Sequence, residues 1–450
     1  MNKRYSMLSI AAVTVIAATL FGSTYSQSQM TGSTYSVPKT DTELLQKIHD
    51  MGGIELVMPP AFAQISMDEM DQMMSEGRNV VEFNVVGESA ELPIMGGGTY
   101  KAMTFSGEVP GPTLRVTQGD IVKMTLTIPE GEPTPHGNDM HASQMSATNF
   151  GKVLPGTSKT YAYVAEVPGT FKYHCSGVDV AGMDQHVLSG MYGITIVDPL
   201  DGYNKLLVEH TKAQNGKVMK DRKMYSADAL EFTLQYNQLY LDADGNYDQG
   251  AMFQHHQTQT VVNGMAFGYV PNADINKLVK GNENTNIFVV QPWNSPDLKQ
   301  YQSQVLYVPT GVHTRWFIEN QGNEPLFFHI VGEIIDRVVQ ANRVQAQGTE
   351  TWLIGGSQGA IMDVVFDNPG AYVVVNHDYA AIFTGAASVI VAGNPFGLDV
   401  GDAKSYAEVL GNPSNAVPPM GKNSIAHPKL NLHGLYTDER ADEIKAELGL

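Results

Sequence analysis

The 450-residue sequence holds a single cysteine. That excludes an intrachain disulfide framework and any zinc ribbon built on paired thiolates. The thiol of Cys175 needs another reason to be there. Basic residues are also scarce, with 28 Lys and Arg against 47 Asp and Glu and a net charge of −19. No cationic excess exists to displace counterions from a phosphate backbone, so nucleic acid is not an expected partner. Charged residues make up 17% and hydrophobic residues 42%, with 44 Gly and 23 Pro, which is too apolar for a disordered chain. The glycine-rich stretch at residues 95–98 lacks the Lys-Ser/Thr of a phosphate loop. Long apolar runs are absent except at residues 7–21, after Lys3 and Arg4 and before the small residues 22–26. That run is short of the ~20 residues a span needs and has the layout of a cleaved secretory signal. The expectation is an exported protein, periplasmic or extracellular, with no stable membrane insertion after cleavage of residues 1–26.

Residues 27–78 are polar and Met-rich, with short amphipathic pieces beginning at Thr42 and Met67. From Asn79 the texture changes to short runs rich in Val, Ile, Thr and Tyr, separated by Gly and Pro turns, which is the pattern of a β-sandwich or barrel. The same texture resumes near Leu206 and runs to Val391. The halves resemble each other: Pro168-Gly-Thr-Phe-Lys-Tyr-His-Cys175 matches Pro369-Gly-Ala-Tyr-Val-Val-Val-Asn376, and Ser189-Gly-Met191 matches Thr384-Gly-Ala386. This reads as a tandem duplication in which Cys175 falls opposite Asn376 and Met191 opposite Ala386. The reading is all-β, with β-domains at 79–199 and 205–395, an N-terminal extension at 27–78 and a C-terminal tail at 396–450.

Cys175, His186 and Met191 form a Cys-x10-His-x4-Met pattern that ends a strand and crosses a loop. Thiolate, imidazole and a weak thioether are the donors of a blue copper electron-transfer site, and His136 supplies the second imidazole. Successive side chains of a strand face opposite ways. His174 therefore turns away from Cys175 and is free for a second metal together with His141. Two imidazoles leave that metal under-coordinated and call for a ligand from another domain or subunit. His329, at a strand end in the second copy of the repeat, is the expected donor.

The runs Phe105-Ser-Gly-Glu-Val-Pro-Gly-Pro112, Pro135-His-Gly-Asn-Asp-Met-His141, Tyr173-His-Cys175, His186-Val-Leu-Ser-Gly-Met191 and Phe328-His-Ile-Val-Gly-Glu333 resemble the copper-containing, nitric-oxide-forming nitrite reductases of the multicopper oxidase superfamily. The resemblance implies two tandem cupredoxin-like Greek-key sandwiches in a homotrimer. It implies a type 1 copper at His136, Cys175, His186 and Met191. It also implies a type 2 copper at His141 and His174, completed by His329 of the neighbouring subunit, so each chain carries one copper of each type. Asp139 matches the family's active-site aspartate. The electron would pass through Cys175–His174 to the type 2 copper, where nitrite becomes nitric oxide. One departure stands out. Where the family has a second active-site histidine, this chain has Gln259 and Met265, and His255 and His256 lie upstream.

Three alternatives remain at this level. A laccase-like oxidase would need paired His-x-His motifs, and none occurs. A simple electron carrier would leave His141, His174 and His329 without a role. A two-copper enzyme of the same fold could act on another small nitrogen compound, which the departure at Gln259 and Met265 keeps open. The electron donor would be a small blue copper protein or a c-type cytochrome, steered in by the acidic surface if basic.

Overall fold

The computed structural model describes residues 67–393 apart from 96, 146–149, 178–179, 271–305 and 341. The signal pattern, the piece at Thr42 and the carboxy-terminal tail lie outside the described residues. The Met-rich piece at Met67 is a helix, α1 (Met67–Ser75). Beyond it the described residues are mostly strand, with a few short helices. Among the described residues no helix is long and apolar enough to cross a membrane.

The first sandwich packs two four-stranded sheets. One runs in the order β2 (Thr99–Phe105), β1 (Val80–Pro93), β4 (Ile121–Thr127), β6 (Ser158–Val164). Its strands alternate buried and open positions, as a half-buried sheet requires. The other runs β3 (Leu114–Thr117), β8 (Tyr192–Asp198), β7 (Gly169–His174), β5 (Asp139–Met140). β8 is buried along its whole length because the second domain covers its outer face. The core between the sheets holds Phe83, Val85, Met124, Leu126, Tyr161 and Tyr173, and Cys175 and Met191 lie at its edge. The segment between Cys175 and Met191, read from sequence as a loop, contains helix α2 (Val180–Leu188), with His186 in its last turn.

An antiparallel ribbon, β9 (Leu206–Gln214) and β10 (Lys217–Tyr225), follows the first sandwich in the chain and is mostly exposed. The second sandwich has one sheet in the order β12 (Gln259–Val262), β11 (Leu230–Leu239), β14 (His313–Asn320), β19 (Gly359–Val365), β16 (Ile335–Gln340), β17 (Arg343–Thr349). The facing sheet runs β13 (Leu306–Val308), β21 (Ala387–Ala392), β20 (Gly370–Asn376), β15 (Leu326–Val331), β18 (Thr351–Ile354). Trp316 stacks on Phe232 at its centre, with ring centroids 4.2 Å apart.

The two sandwiches share a plan. Parallel β1 and β4 correspond to parallel β11 and β14, and parallel β3 and β8 to parallel β13 and β21. The hairpin β7–β8 corresponds to β20–β21, and the helix inside it, α2, to α3 (Tyr379–Thr384). Among the described strands only β16, β17 and β18 are extra. The sandwiches meet face to face, with Ile194 and Ile196 on Phe317 and Ile361. Arg115 crosses the seam. Its guanidinium grips Asp198 at 2.8 and 2.9 Å in its own domain and Glu231 at 2.6 Å in the other.

Candidate metal centres

The first centre is a set of loops at one end of the first sandwich. His136 is fixed by an isolated bridge to Val153, exchanging both backbone hydrogen bonds. Cys175 follows directly on β7, and its N–H donates to the Met191 carbonyl at 3.1 Å. The Met191 N–H in turn donates to the His186 carbonyl at 3.1 Å, so helix end and loop are locked together. The result is convergence. His136 Nδ1 and His186 Nδ1 are 3.1 Å apart, and Cys175 Sγ lies 3.8 Å from the first and 3.4 Å from the second. Met191 is buried beside them, its methyl end close to Gly87.

Burial sets the chemistry of these donors. It pulls His186 down to about 4, with His136 beside it adding to the effect, and it lowers His136 too. Both imidazoles are therefore neutral and have lone pairs to give. The thiol is pushed up to about 11 by burial, against the amide N–H groups of Gly177 and Gly137 that point at the sulfur. Such a thiol loses its proton readily only to a bound cation. A soft sulfur, two neutral imidazoles and a thioether in a dry pocket fit copper.

Two features here were missed in the sequence. Glu132 accepts from Ser89 N–H at 2.8 Å and Ser89 Oγ at 2.7 Å, and stands 3.3 Å from His136 Nε2. It accepts a hydrogen bond from the His136 Nε2–H and so leaves Nδ1 as the lone-pair nitrogen facing the sulfur. Its place four residues before His136 was the available signal. The other is a pair of glycines: a Cβ on Gly177 would stand 1.9 Å from the His136 carbonyl carbon, and one on Gly137 would stand 2.8 Å from Gly177 N. The ligand loops touch backbone to backbone.

The second centre lies on the opposite face of the same strands. Asp139 pairs with His174 across β5 and β7, and the His141 N–H donates to the Lys172 carbonyl at 3.0 Å. His141 Nε2 and His174 Nε2 are 3.1 Å apart, and Asp139 Oδ2 is 3.7 Å from His174 Nε2. His174 Nδ1 donates to the Cys175 carbonyl at 2.9 Å, which leaves Nε2 as the lone-pair nitrogen. Burial, reinforced by Lys172, pulls His174 down to about 3, and burial raises the Asp139 carboxyl against the pull of His141 and Lys172. The group is two neutral imidazoles and an outer carboxyl at a partly open rim. It is a site short of one ligand.

His329 is not brought to either group within the chain. It sits in mid-strand on β15 rather than at a strand end, half-buried, and its Nδ1 donates to the Glu350 carbonyl at 2.8 Å. By register it is the counterpart of Asp139, since Asp139 faces His174 and His329 faces Val375. The ring of His377 lies 5.2 Å from that of His329. Gln259 donates to the Met95 carbonyl at 2.7 Å, Met265 is exposed, and His255 is an exposed partner of Glu324 at 2.6 Å. His313 is buried between the Ser226 carbonyl and Asp363, a structural role.

The chain is similar to known copper proteins. Residues 88–202 match the multicopper oxidase family. The chain is 28% identical over 338 residues to the copper-containing nitrite reductase of Pseudomonas chlororaphis, covering 72% of this chain and 80% of that one. It is 30% identical over 346 residues to the copper-containing nitrite reductase of Alcaligenes xylosoxydans xylosoxydans, covering 74% and 92%. Among solved structures, the copper nitrite reductase from Nitrosomonas europaea is similar with a TM-score of 0.55 at 29% identity, covering 70% of this chain and 95% of that one.

Proposed function

The chain belongs to the copper-containing nitrite reductases, a family of oxidoreductases, and on that premise we propose that it reduces nitrite to nitric oxide with two coppers per chain. His136, Cys175, His186 and Met191 would hold the type 1 copper. His141 and His174 would hold the type 2 copper, with His329 of the neighbouring subunit as third ligand in a homotrimer. When bound, the coppers supply one-electron transfer and, at the second site, a Lewis-acidic position for a small anion. The overall change is balanced: nitrite takes one electron and two protons and leaves as nitric oxide and water.

The carrying observation is the peptide between His174 and Cys175, which joins two donor groups on opposite faces of one strand. The His174 Nδ1–H to Cys175 carbonyl bond adds a second connection and fixes the ring. Asp139, beside the open rim, is the group suited to hold a proton toward the bound anion, because burial raises its pKa toward the working range. The half-site at His141 and His174 and the outward-facing His329 support completion between subunits. The amino-terminal signal pattern supports work outside the cytoplasmic membrane, with a small copper protein or cytochrome as donor.

The test is nitrite turnover by copper-loaded protein with an artificial reductant. Cys175→Ala and His329→Ala are each expected to abolish nitric oxide release. Chains carrying His329→Ala co-assembled with chains carrying His174→Ala should regain part of the activity, because some interfaces then contain an intact site. Failure to regain any would sink the inter-subunit assignment. A second reading, the same chemistry on another small nitrogen compound, is favoured by Gln259, whose amide is committed to the Met95 carbonyl. Turnover of alternative substrates faster than nitrite would select it.

A further inference from the structure

The second centre has a fourth side chain. Alternation places Lys172 on the same face of β7 as His174, and the register sets it across from His141 as His174 is set across from Asp139. Asp139, His141, Lys172 and His174 therefore make a two-by-two patch. Three of them are site residues. The fourth carries a cation into the interior, since Lys172 is only 2% exposed. Its ammonium crosses into the second domain and donates to the Gln321 carbonyl at 2.6 Å and to Ser357 Oγ at 3.1 Å. Both acceptors are neutral. Among the described residues no carboxylate oxygen lies within ion-pair distance of it, though Glu319 is buried at the same seam.

Burying a lysine is costly, and a methionine of similar length would fill the space without a charge to desolvate. Two neutral acceptors satisfy the N–H groups but do not cancel the charge. The field then acts on what lies nearest, and little water or salt intervenes to screen it. It acts on the buried carboxyl of Glu319 and, at the site, on the imidazoles of His141 and His174 and the carboxyl of Asp139.

We propose that Lys172 is a specificity-determining cation of the second centre, whose fixed charge behind the metal ligands favours small anions over neutral molecules. This rests on the two-copper reading. It assigns the selectivity for an anionic substrate to a residue that touches neither metal nor substrate.

The experiment uses full-length, copper-loaded protein and two probes, azide as an anion and imidazole as a neutral ligand, titrated against the type 2 copper signal in electron paramagnetic resonance. Lys172→Met should weaken azide about tenfold, the scale of one partly screened charge nearby, and leave imidazole within about twofold. The nitrite KM should rise by a similar factor with kcat little changed, the mark of lost ground-state attraction. Lys172→Gln, which can still donate to Gln321 and Ser357, should behave like the methionine variant. Ser357→Ala, which removes an acceptor but no charge, should behave like wild type. Equal losses for azide and imidazole, or unchanged azide affinity in both lysine variants, would overturn the proposal. A wild-type protein with no type 2 signal would instead remove the site itself, and the proposal with it.

Discussion

The ligand loops of the first sandwich and their counterparts in the second have the same backbone and opposite contents. Cys175 N–H donates to the Met191 carbonyl at 3.1 Å, and Asn376 N–H to the Ala386 carbonyl at 3.2 Å. Met191 N–H reaches His186 at 3.1 Å, and Ala386 N–H reaches Ala381 at 2.9 Å. The intervening Gly190 and Gly385 share a positive φ, 129° and 137°, which a residue with a Cβ would resist. The donor set His136, Cys175, His186 and Met191 thus becomes Leu326, Asn376, Ala381 and Ala386, all buried. Even the two amides aimed at the sulfur persist. Gly137 and Gly177 point at Cys175 Sγ, while Phe327 and Asp378 donate to Asn376 Oδ1 at 2.9 and 3.2 Å. The loop architecture does not depend on a metal. An amide oxygen can stand where the sulfur stands, and small apolar residues fill the rest.

That equivalence can be broken with one exchange in each domain. Asn376→Ala leaves the Phe327 and Asp378 amides and the Pro325 carbonyl without their partner. Each buried orphan costs about 1–3 kcal/mol, so a loss of about 3 kcal/mol is expected after partial relaxation. Cys175→Ala removes only a weakly bonding sulfur, and in metal-free protein it should cost about 1 kcal/mol. For copper binding the ranking inverts. Cys175→Ala should lose the blue absorbance entirely and Asn376→Ala should keep it. Denaturant unfolding of the metal-free variants, with absorbance of the loaded ones, checks both halves. Equal destabilisation would mean that the Asn376 amide holds its loop no more firmly than the sulfur holds its own.

A smaller difference lies behind the first ligand. Glu132 orients His136 from behind, while Leu326 has no nitrogen to orient. Glu132→Gln keeps an acceptor for Ser89 and for the His136 Nε2–H but removes the charge. An outer partner of this type is worth about 10–100-fold in metal affinity or activity. The expectation is a loss near the lower end, read as a shift in the type 1 copper potential and in competition with a chelator. An unchanged potential would reduce Glu132 to a prop for Ser89.

Much of this was legible in the sequence because it is local. Alternation alone separated His174 from Cys175, and the repeat alone paired Cys175 with Asn376 and Met191 with Ala386. The Pro-Gly and Gly landmarks fixed the duplicated hairpin without any contact information. What escaped was tertiary. Lys172 looks like an ordinary charged residue on an alternating strand until Gln321 and Ser357, nearly 150 residues or more away, receive its ammonium. Helix α2 escaped because it is short and its sequence carries no clear apolar stripe. The need for glycine at Gly137 and Gly177 comes from the meeting of two distant loops, which no spacing rule contains.

The weakest contrast concerns protons rather than metals. In the second sandwich Asp336 is pushed up to about 7, first by burial and then by the charges of Glu333, Asp367 and Asp363, against an N–H donated by Val365 at 2.8 Å. The folded state therefore holds this proton more tightly than the unfolded chain, whose aspartates titrate near 3.9. The contribution to stability is complete below about pH 4, shrinks as pH rises, and is gone above about pH 7. Asp363 runs the other way. Burial alone would raise it, but Arg315, His313 and Arg337 hold it well below the usual range, so its stabilising effect persists across neutral pH and is lost only in strong acid. Between pH 4 and 8 Asp336 alone of the pair titrates. Asp336→Asn can still accept from Val365 but cannot ionise. Metal-free Asp336→Asn should melt with wild type near pH 4 and a few degrees above it at pH 8, the gap opening through the intervening range. A gap of the same size at every pH would show that the substitution acts through packing and not through the proton.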